Sequence, residues 1–149
     1  MTAQPQTTRS DRAHAREALE RVCARGDFEA ARDYYSPDFV DHVNEMEYRG
    51  HEGIRQSVGL YHLVFTDLRI RVEDQIVEGD RVVSRWTAEG TNRGKRIRLP
   101  GITISHLAEG KIVEDWSSSD NLGLLRQLGP RRTLLLGVDW VVAQVKARR

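Results

Sequence analysis

The feature that most constrains the fold is a change in hydrophobic spacing after Thr66. Before this point apolar residues recur at helical intervals, as at Ile54 and Val58. After it Ile70 and Val72 alternate with charged residues, which is typical of a strand with one face in water. Helices followed by antiparallel strands predict an α+β domain in which helices close a sheet.

The helical part of the chain divides at glycine and proline residues, which end helices or prevent their continuation. The predicted elements are, in order, a frayed polar segment (1–9), a helix from Ser10 or Asp11 to Gly26, a short helix (28–35), a strand (Phe39–Val43), a third helix from near Glu52, and then the strands. A final helix is predicted over residues 131–149, where Leu134, Leu135, Val138, Val141, Val142 and Val145 form an apolar stripe. This extension of a single domain (1–149) could cover a pocket, add to a subunit interface or pack on the back of the sheet.

The composition argues against several classes of function. With a formal net charge of +1 and 7% aromatic residues, the chain offers neither a basic surface for nucleic acid or membrane nor a platform for stacked bases. Its one cysteine makes no intramolecular disulfide, and its five histidines lack the spacing of a zinc site. The N-terminus does not resemble a secretory signal, and no apolar run approaches the roughly 18–20 residues of a membrane span. A cytoplasmic protein is therefore expected.

Two turns of the pattern x-Glu-Gly-x set the expected strand register. In 77–80 and 108–111 the glycine stands third, which suits a three-residue loop with a G1 bulge. In the second hairpin this register makes three pairs: His106 with Ile112, Ile104 with Glu114, and Ile102 with Trp116. The resulting face is the more apolar one and is predicted to point inward. Its members are Ile102, Ile104, His106, Ile112, Glu114 and Trp116, continuing to Ser118 and Asp120.

Three ionisable residues on this face, His106, Glu114 and Asp120, are candidates for chemistry. Burying such groups shifts their pKa values, and shifted pKa values are common at catalytic sites. Each residue also has a structural explanation: a core histidine, a salt-bridged carboxylate, and the N-cap of the following helix. Ser118 and Ser119 could cap that helix equally well, so capping does not require Asp120.

Other residues can either line a pocket or serve the fold. His42 ends a short strand, where exposure to solvent is the simpler explanation. Trp86 shares a face with Val72 and is either core or cavity wall, and Asn92 can be a turn former. The full set predicted to contact a ligand is His42, Tyr61, Trp86, Asn92, Ile104, Glu114 and Trp116.

Four segments together resemble the SnoaL-like polyketide cyclase family: GDFEAARDYYSPDFVDH, RGHEGIRQSV, GDRVVSRWTAEGT and HLAEGKIVEDWSSSDNLGLLRQLG. The resemblance covers about residues 12–130. Its most specific part is the last segment, which joins a histidine strand, a GKIVE-W hairpin and an Asp before a leucine-rich helix. The resemblance implies a nuclear-transport-factor-2-like cone, in which a curved antiparallel sheet and N-terminal helices enclose a deep pocket.

The resemblance also implies an activity. In cyclases of the family, an Asp at the position of Asp120 is the general acid/base and a His at the position of His106 assists it. The reaction is an intramolecular aldol condensation that closes a ring of a polyketide in secondary-metabolite biosynthesis. Some of these cyclases have a polar residue at the position of Ile104.

The same resemblance implies no metal and no organic cofactor. The expected partners are a hydrophobic small-molecule substrate and further copies of the chain, in a homodimer or higher homo-oligomer. Three alternatives stay open: a cofactor-independent isomerase, an accessory protein that binds a small molecule without catalysis, and an epoxide-opening hydrolase or cyclase.

Overall fold

The computed structural model of the protein describes residues 4–147, with side chains over residues 9–146. Helix α1 (Gln4–Glu17) continues as a π-helical segment (Ala18–Ala24) and is followed by α2 (Ala31–Tyr34), α3 (Gly50–Val64) and α4 (Asn121–Ala147). The strands are β1 (Tyr35–Val43), β2 (Met46–Arg49), β3 (Arg69–Glu78), β4 (Arg81–Asn92), β5 (Lys95–Ala108) and β6 (Lys111–Ser119). The predicted α+β class, with helices before the long strands and one helix after them, is confirmed.

The strands form one sheet in the order β2-β1-β6-β5-β4-β3. All neighbours are antiparallel except β1 and β6, which run parallel. Burial alternates without interruption along β5 from Ile97 to Leu107, so the sheet has one covered and one exposed face. Two apolar clusters join the covered face to the helices, one around Phe39 and Ile54 and the other around Trp86.

The N-terminal elements differ from the prediction at their ends. Helix α1 begins at Gln4, so the segment expected to fray is helical from there, and residues 1–3 lie outside the described part of the chain. Helix α2 is four residues long because Tyr35 takes an extended conformation (φ −115°, ψ 142°) and opens β1. The polar segment after Val43 supplies β2, which pairs with β1.

The three-residue loops predicted for the two hairpins are wrong, because each turn is one residue shorter. Ala108 faces Lys111, which leaves a two-residue turn of Glu109 and Gly110 with φ values of 53° and 75°. Two successive positive φ values are the requirement of a type I′ turn, whose twist matches that of the flanking strands. The turn between β3 and β4 is also two residues long.

A bulge at Val113 then decides which face of β6 is covered. Leu107 pairs with Ile112, but the next pair is His106 with Glu114, so Val113 is an extra residue in β6. An extra residue shifts the two-residue alternation of side chains by one position. Ile112 therefore stays buried while Glu114 points away from the helices.

The face predicted to point inward is, for this reason, mostly the outer one. Ile102 and Ile104 are 45% and 37% exposed, and Trp116 pairs with Ile104 on the same side. The covered side of the hairpin carries Thr103, Ser105, Leu107, Ile112, Asp115 and Ser117. The inward surface of this hairpin is thus more polar than the outward one.

Helix α4 is broken at Gly129, whose φ of 73° and ψ of 172° are not helical. Pro130 follows, and a proline at the first helical position needs no N–H partner. Before the break, Leu124 and Leu128 join the second apolar cluster. After it, residues 130–147 form the predicted C-terminal helix, and residues 148 and 149 lie outside the described range.

Candidate functional site

A cavity lies between the covered face of the sheet and the helices. Its apolar wall consists of Leu19, Phe39, Val43, Ile54, Val58, Ile70 and Trp86, and its polar lining of Cys23, Tyr35, Asp41, Ser57, Tyr61, Thr103, Asp115 and Ser117. Its free volume is ≈ 50 Å³, enough for a few waters or a small chemical group.

Two carboxylates meet in this cavity on paired strands. Asp41 of β1 and Asp115 of β6 are register partners, and both line the cavity. Neighbouring strands lie about 4.8 Å apart, so these side chains on one face are adjacent. The bulge at Val113 is responsible, because unbroken alternation from Ile112 would bring Glu114 inward instead.

Asp41 is held in place by helix α3. Ser57 donates its hydroxyl to Asp41 Oδ2 over 2.7 Å, and both side chains are buried. Burial raises the pKa of Asp41 from its usual 3.8 to about 6, and the hydrogen bond from Ser57 limits the rise. A carboxylate of this kind is ionised at neutral pH but accepts a proton more readily than an exposed one, which suits a general base.

Asp115 is the more perturbed carboxyl of the two. Burial, and then the negative charge of Asp41, raise the pKa of Asp115 well above its ordinary value, although Ser105 donates a hydrogen bond to it. Among the described side chains, Asp115 Oδ1 has no hydrogen-bond partner. Two carboxyls sharing a buried site do not both ionise readily, and of the two Asp115 is the more easily protonated.

Neutral hydrogen-bond donors line the rest of the polar side. Trp86 Nε1 donates to Thr103 Oγ1 over 2.9 Å, and that oxygen lies 2.8 Å from Ser117 Oγ. Burial raises the pKa of both Tyr35 and Tyr61, so the two phenols stay protonated and can donate to a ligand oxygen.

The π-helical segment supplies another part of the wall. Leu19 and Cys23 both line the cavity, and π-helical turns occur frequently at functional sites. Burial raises the pKa of the Cys23 thiol to about 12, and its Sγ lies 3.9 Å from the Tyr35 hydroxyl. A thiol that stays neutral is a weak nucleophile, so Cys23 serves as cavity wall.

A groove continues the cavity toward the surface. It shares Val43 and Tyr61 with the cavity and is otherwise lined by Asn44, Met46, Leu60, Val64, Phe65, Leu99, Ser119, Asn121 and Leu124. Its free volume is ≈ 120 Å³. Tyr61 borders both spaces, with its ring edge-on to Trp86 at 6.2 Å. An elongated ligand can therefore occupy the groove with one end beside the carboxylates.

Asp120 lies outside this cavity, at the N-cap of α4. Its Oδ1 accepts the Gly123 N–H over 2.8 Å, and its carbonyl accepts that of Leu124 over 3.1 Å. A Cβ on Gly123 would lie 3.1 Å from Asp120 Oδ1 and closer still to Oδ2, so the glycine makes room for the cap. Asp120 is exposed and borders a shallow outer cleft together with Ile102 and the edge of Trp86.

His106 also lies away from the cavity, on the outer face of the sheet. Its Nε2 is 2.9 Å from Asp80 Oδ2, and it is the register partner of Glu114. The inward positions predicted for His106, Glu114 and Asp120 are therefore wrong. Catalytic roles for Asp120 and His106 stay predictions.

Three more predicted ligand contacts lie on the outer face. His42 Nε2 is 2.7 Å from Glu114 Oε1, and its ring stacks on Trp116 with centroids 5.4 Å apart. Ile104 lies beside them as the register partner of Trp116. His42, Ile104, Glu114 and Trp116 thus form a cluster on the side of the sheet opposite the cavity.

The remaining predicted contacts lie on the covered side. Trp86 and Tyr61 line the cavity, and their contact with a ligand stays a prediction. Asn92 is buried and donates its Nδ2 to the Val64 carbonyl over 2.8 Å, which ties the end of β4 to α3. It does not line the cavity.

Sequence reasoning missed the central residues of the cavity. For Asp41 a signal existed, because it alternates with the buried Phe39 and Val43. For Asp115 local alternation points the other way, and only the bulge at Val113 turns it inward. Ser57 lies on the buried side of α3, where a serine is most simply interpreted as a small core residue.

The carboxylates of the cavity occur as a pair, with hydroxyl groups around them. Over residues 9–146, no three His, Cys, Asp or Glu side chains are grouped as metal ligands would be. None of the helices within residues 4–147 combines the length and the hydropathy of a membrane span.

Comparison with known proteins places these features in a family. The chain matches the sequence model of the SnoaL-like polyketide cyclases over residues 13–128. A candidate polyketide cyclase from Bacillus cereus is 31% identical, with 80% of each chain covered and a TM-score of 0.72. IdmH, a candidate polyketide cyclase from Streptomyces antibioticus, is 27% identical over 85% of this chain and 99% of its own, with a TM-score of 0.68. A search of curated proteins found no match.

A third solved structure is similar over nearly its whole length. TsrD from Streptomyces laurentii is 26% identical over 86% of this chain and 98% of its own, with a TM-score of 0.69. The matched residues 13–128 include every strand and the carboxylate pair of the cavity. The chain belongs to the SnoaL-like polyketide cyclase family.

Proposed function

We propose that the protein is a cofactor-independent acid–base catalyst that closes a ring in a polyketide-like small molecule by intramolecular aldol condensation. The family supports the class of reaction. The observation that carries the proposal is the buried pair Asp41 and Asp115, two carboxyls on adjacent strands whose pKa values are both raised. Carboxyls with separated proton affinities in one pocket are the usual equipment of general acid–base catalysis.

In this proposal the two carboxyls have different roles. Ionised Asp41 removes a proton from a carbon flanked by two carbonyls, and the enolate carbon attacks a second carbonyl carbon. A C–C bond forms, the C=O π bond opens, and protonated Asp115 donates its proton to the resulting alkoxide. Asp41 then returns its proton to Asp115, so the reaction is an isomerisation with no net change in protons or electrons.

The neutral donors around the carboxylates would hold the substrate oxygens. Tyr35 and Tyr61 stay protonated and border the cavity, so they can donate to a carbonyl as negative charge develops on it. The apolar wall around them excludes water, which strengthens such hydrogen bonds.

The two spaces suggest the shape of the substrate. The cavity at the carboxylates holds ≈ 50 Å³ and the adjoining groove ≈ 120 Å³. Only a small reactive end therefore fits beside Asp41, with the remainder lying along the apolar groove. An elongated dicarbonyl compound fits these dimensions better than a preformed multi-ring one.

The test compares one chemical change, Asp to Asn, at three positions. Proton removal is measured by NMR as deuterium uptake at the central carbon of a 1,3-dicarbonyl probe in D₂O, and ring closure by mass spectrometry. Asp41→Asn is expected to lower both rates by about 10²–10⁴-fold, the usual contribution of a general base. Asp115→Asn is expected to lower ring closure more than deuterium uptake, because it removes the acid.

Asp120→Asn is the matched control, because asparagine caps a helix about as well as aspartate. It is expected to leave both rates within about threefold of wild type. If Asp120→Asn abolished turnover while Asp41→Asn did not, the reaction would belong to the outer cleft and the assignment to Asp41 would be wrong. Tight probe binding without turnover in the wild type would favour an accessory binding protein.

A second candidate, epoxide opening, has one observation in its favour. The free volume at the carboxylates is enough for a water molecule, which Asp41 could activate while Asp115 protonates the epoxide oxygen. Incorporation of ¹⁸O from labelled water into a diol product would identify this reaction. An aldol cyclisation incorporates no such label.

A further inference from the structure

The half of α4 after Gly129, residues 130–147, turns its apolar side toward solvent. Leu134 is 71% exposed, and Val138, Val141, Val142 and Val145 are between 46% and 52% exposed. A helix that packs only against its own domain carries its apolar stripe on the inner side. Here the stripe is reversed.

The contacts of this helix with its own domain fix that orientation. Leu136, on the opposite side, packs against the second apolar cluster. Asp139 binds the Arg93 guanidinium at the tip of the β4–β5 hairpin over 2.8 Å. With these two residues held inward, the stripe cannot turn toward the core without breaking both contacts.

The stripe has the spacing of a helix–helix seam. Leu134, Val138, Val141 and Val145 follow one another at intervals of four, three and four residues, the a/d pattern of a coiled coil. Valine at the a positions, with leucine at one d position, favours pairs of helices over larger bundles.

In such a seam, each side chain of one helix (a knob) inserts into a hole on the facing helix, and the same stripe also provides these holes. A hole is formed by residues i, i+3, i+4 and i+7 of the facing helix. Two consecutive sets meet this condition: Leu134, Gly137, Val138 and Val141, and then Val138, Val141, Val142 and Val145. Gly137 is exposed with nothing within 4 Å of its Cβ position, and it keeps the first hole open.

Gly137 is not explained by the helix itself. Glycine is less favourable in a helix interior than any residue except proline, and its φ here is not in the left-handed region that would require it. It lines a surface groove with Leu134, Val138 and Val141. Close approach of another chain is a physical reason for a glycine at this position.

We propose that residues 130–147 are a self-association surface, in which the helix of one copy packs against the same helix of a second copy. One stripe carries both the knobs and the holes, so the matching surface is the stripe itself. The interface would be isologous, as in most two-fold dimers. The expected homo-oligomer would form through this surface. The inference does not depend on the catalytic proposal.

This surface is an addition to the family domain. The family match ends at residue 128, before the stripe begins. The chains of IdmH and TsrD are covered to 99% and 98%, whereas only 85% and 86% of this chain is covered in return.

The charges also favour a second copy over a membrane surface. Arg131 and Arg132 precede the stripe and Lys146 follows it, whereas an interfacial helix carries basic residues along its polar face. In either orientation of two copies, basic ends meet, and salt screens their repulsion. Association should therefore strengthen as salt is raised.

The experiment is sedimentation velocity on the full chain from about 1 μM to about 500 μM, a range that covers weak and moderate dimers. Wild type is expected to show a reversible dimer that tightens between roughly 0.05 M and 0.5 M salt. Val138→Lys combined with Val141→Lys is expected to be monomeric throughout. Gln56→Lys, at an exposed position on α3 outside the seam, is expected to dimerise like wild type.

Two results would overturn the proposal. One is a monomeric wild type over the whole range, including a monomer that binds vesicles of anionic lipid. The other is a dimer that survives the double lysine variant and dissociates in Ile102→Lys with Ile104→Lys, which would place the interface on the outer face of the sheet. Circular dichroism melts of each variant separate loss of the interface from loss of the fold, and loss of catalysis in Asp41→Asn is a separate outcome.

Discussion

Asp41 and Asp115 occupy positions where two ionised carboxylates would not both be stable. Each is buried, they are register neighbours, and hydroxyls rather than cations surround them. Replacing them with apolar residues would remove a desolvation cost, so stability alone does not explain them. Buried groups with this cost and with raised pKa values are the usual composition of an active site.

The pKa of Asp41 makes the stability of the fold depend on pH. Because its folded pKa of about 6 lies above its usual 3.8, the folded chain binds the proton more tightly than the unfolded chain. The stabilising contribution is full below about pH 4, is lost as pH rises through about 6, and amounts to roughly 3 kcal/mol. Asp41→Asn removes the dependence, so urea denaturation should show the variant gaining stability over wild type between pH 4 and pH 7 by roughly this amount.

Asp38→Asn is the control, since Asp38 is exposed on the same strand. It tests whether the loss of any aspartate from β1 produces the same pH profile. A parallel pair of pH profiles for wild type and Asp41→Asn would show that Asp41 is not perturbed by burial.

Gly101 is a second residue whose role is set by the cavity wall. A Cβ at this position would lie 2.9 Å from Trp86 Cε2 and closer to the outer atoms of the ring, so the indole occupies the space that a side chain would need. Gly101→Ala should displace Trp86, lower the free energy of unfolding by about 1–3 kcal/mol, and alter the tryptophan fluorescence. Gly59→Ala, in a helix with nothing within 4 Å, should instead stabilise the fold by up to about 1 kcal/mol. Equal effects of the two substitutions in urea denaturation would rule out the steric explanation.

Among the secondary-structure elements, β6 has the largest influence on the site. Its one extra residue, Val113, exchanges the faces of all residues after it, so Asp115 enters the cavity while Glu114 pairs with His42 outside. The parallel pairing of β6 with β1 then places Asp115 beside Asp41. The catalytic proposal rests on these two features of one strand.

Helix α4 depends on Asp120 for its first turn. Asp120 accepts the Gly123 N–H, so Asp120→Ala should lower the free energy of unfolding by about 1 kcal/mol, and Asp120→Asn should restore most of it. Thermal melts of the three proteins test this expectation. If alanine were as stable as wild type, Ser118 or Ser119 would have taken over the cap, as the sequence allows.

Across the whole molecule, the cavity and the exposed stripe of the C-terminal helix have no residue in common. The residues that line the cavity and the groove all precede residue 125, whereas the exposed stripe begins at Leu134. The helix touches the domain mainly through Leu136 and the Asp139–Arg93 ion pair. The C-terminal helix therefore does not cover the cavity, which was one of the roles considered for it.

Removing residues 130–149 should therefore leave deuterium exchange with the 1,3-dicarbonyl probe within about twofold of wild type. It should lower the free energy of unfolding by about 1–3 kcal/mol, through loss of the Leu136 contacts. NMR exchange rates and urea denaturation of the truncated chain measure the two effects. A large fall in exchange rate with an intact fold would connect the helix to the cavity.

Local sequence patterns were enough to predict the fold class and the order of all described elements except β2. Helical spacing around Ile54 and Val58 and alternation from Arg69 onward are local properties, and they predicted α3 and the four long strands correctly. The prediction that Trp86 shares a face with Val72 is confirmed, because a bulge at Glu73 compensates for the shorter turn between β3 and β4. The family resemblance, which covers about residues 12–130, agrees with the matched range of residues 13–128.

Which side of the last hairpin faces the cavity depends on contacts between residues far apart in the sequence. Alternation separates two faces of a strand, and the more apolar face was assigned to the interior because burial of apolar area usually decides. Here the interior face carries Thr103 and Asp115 because it lines a polar cavity, and the apolar Ile102 lies outside. The bulge at Val113 and the parallel contact with β1 join residues far apart in sequence, and such contacts leave no local pattern from which the carboxylate pair could be predicted.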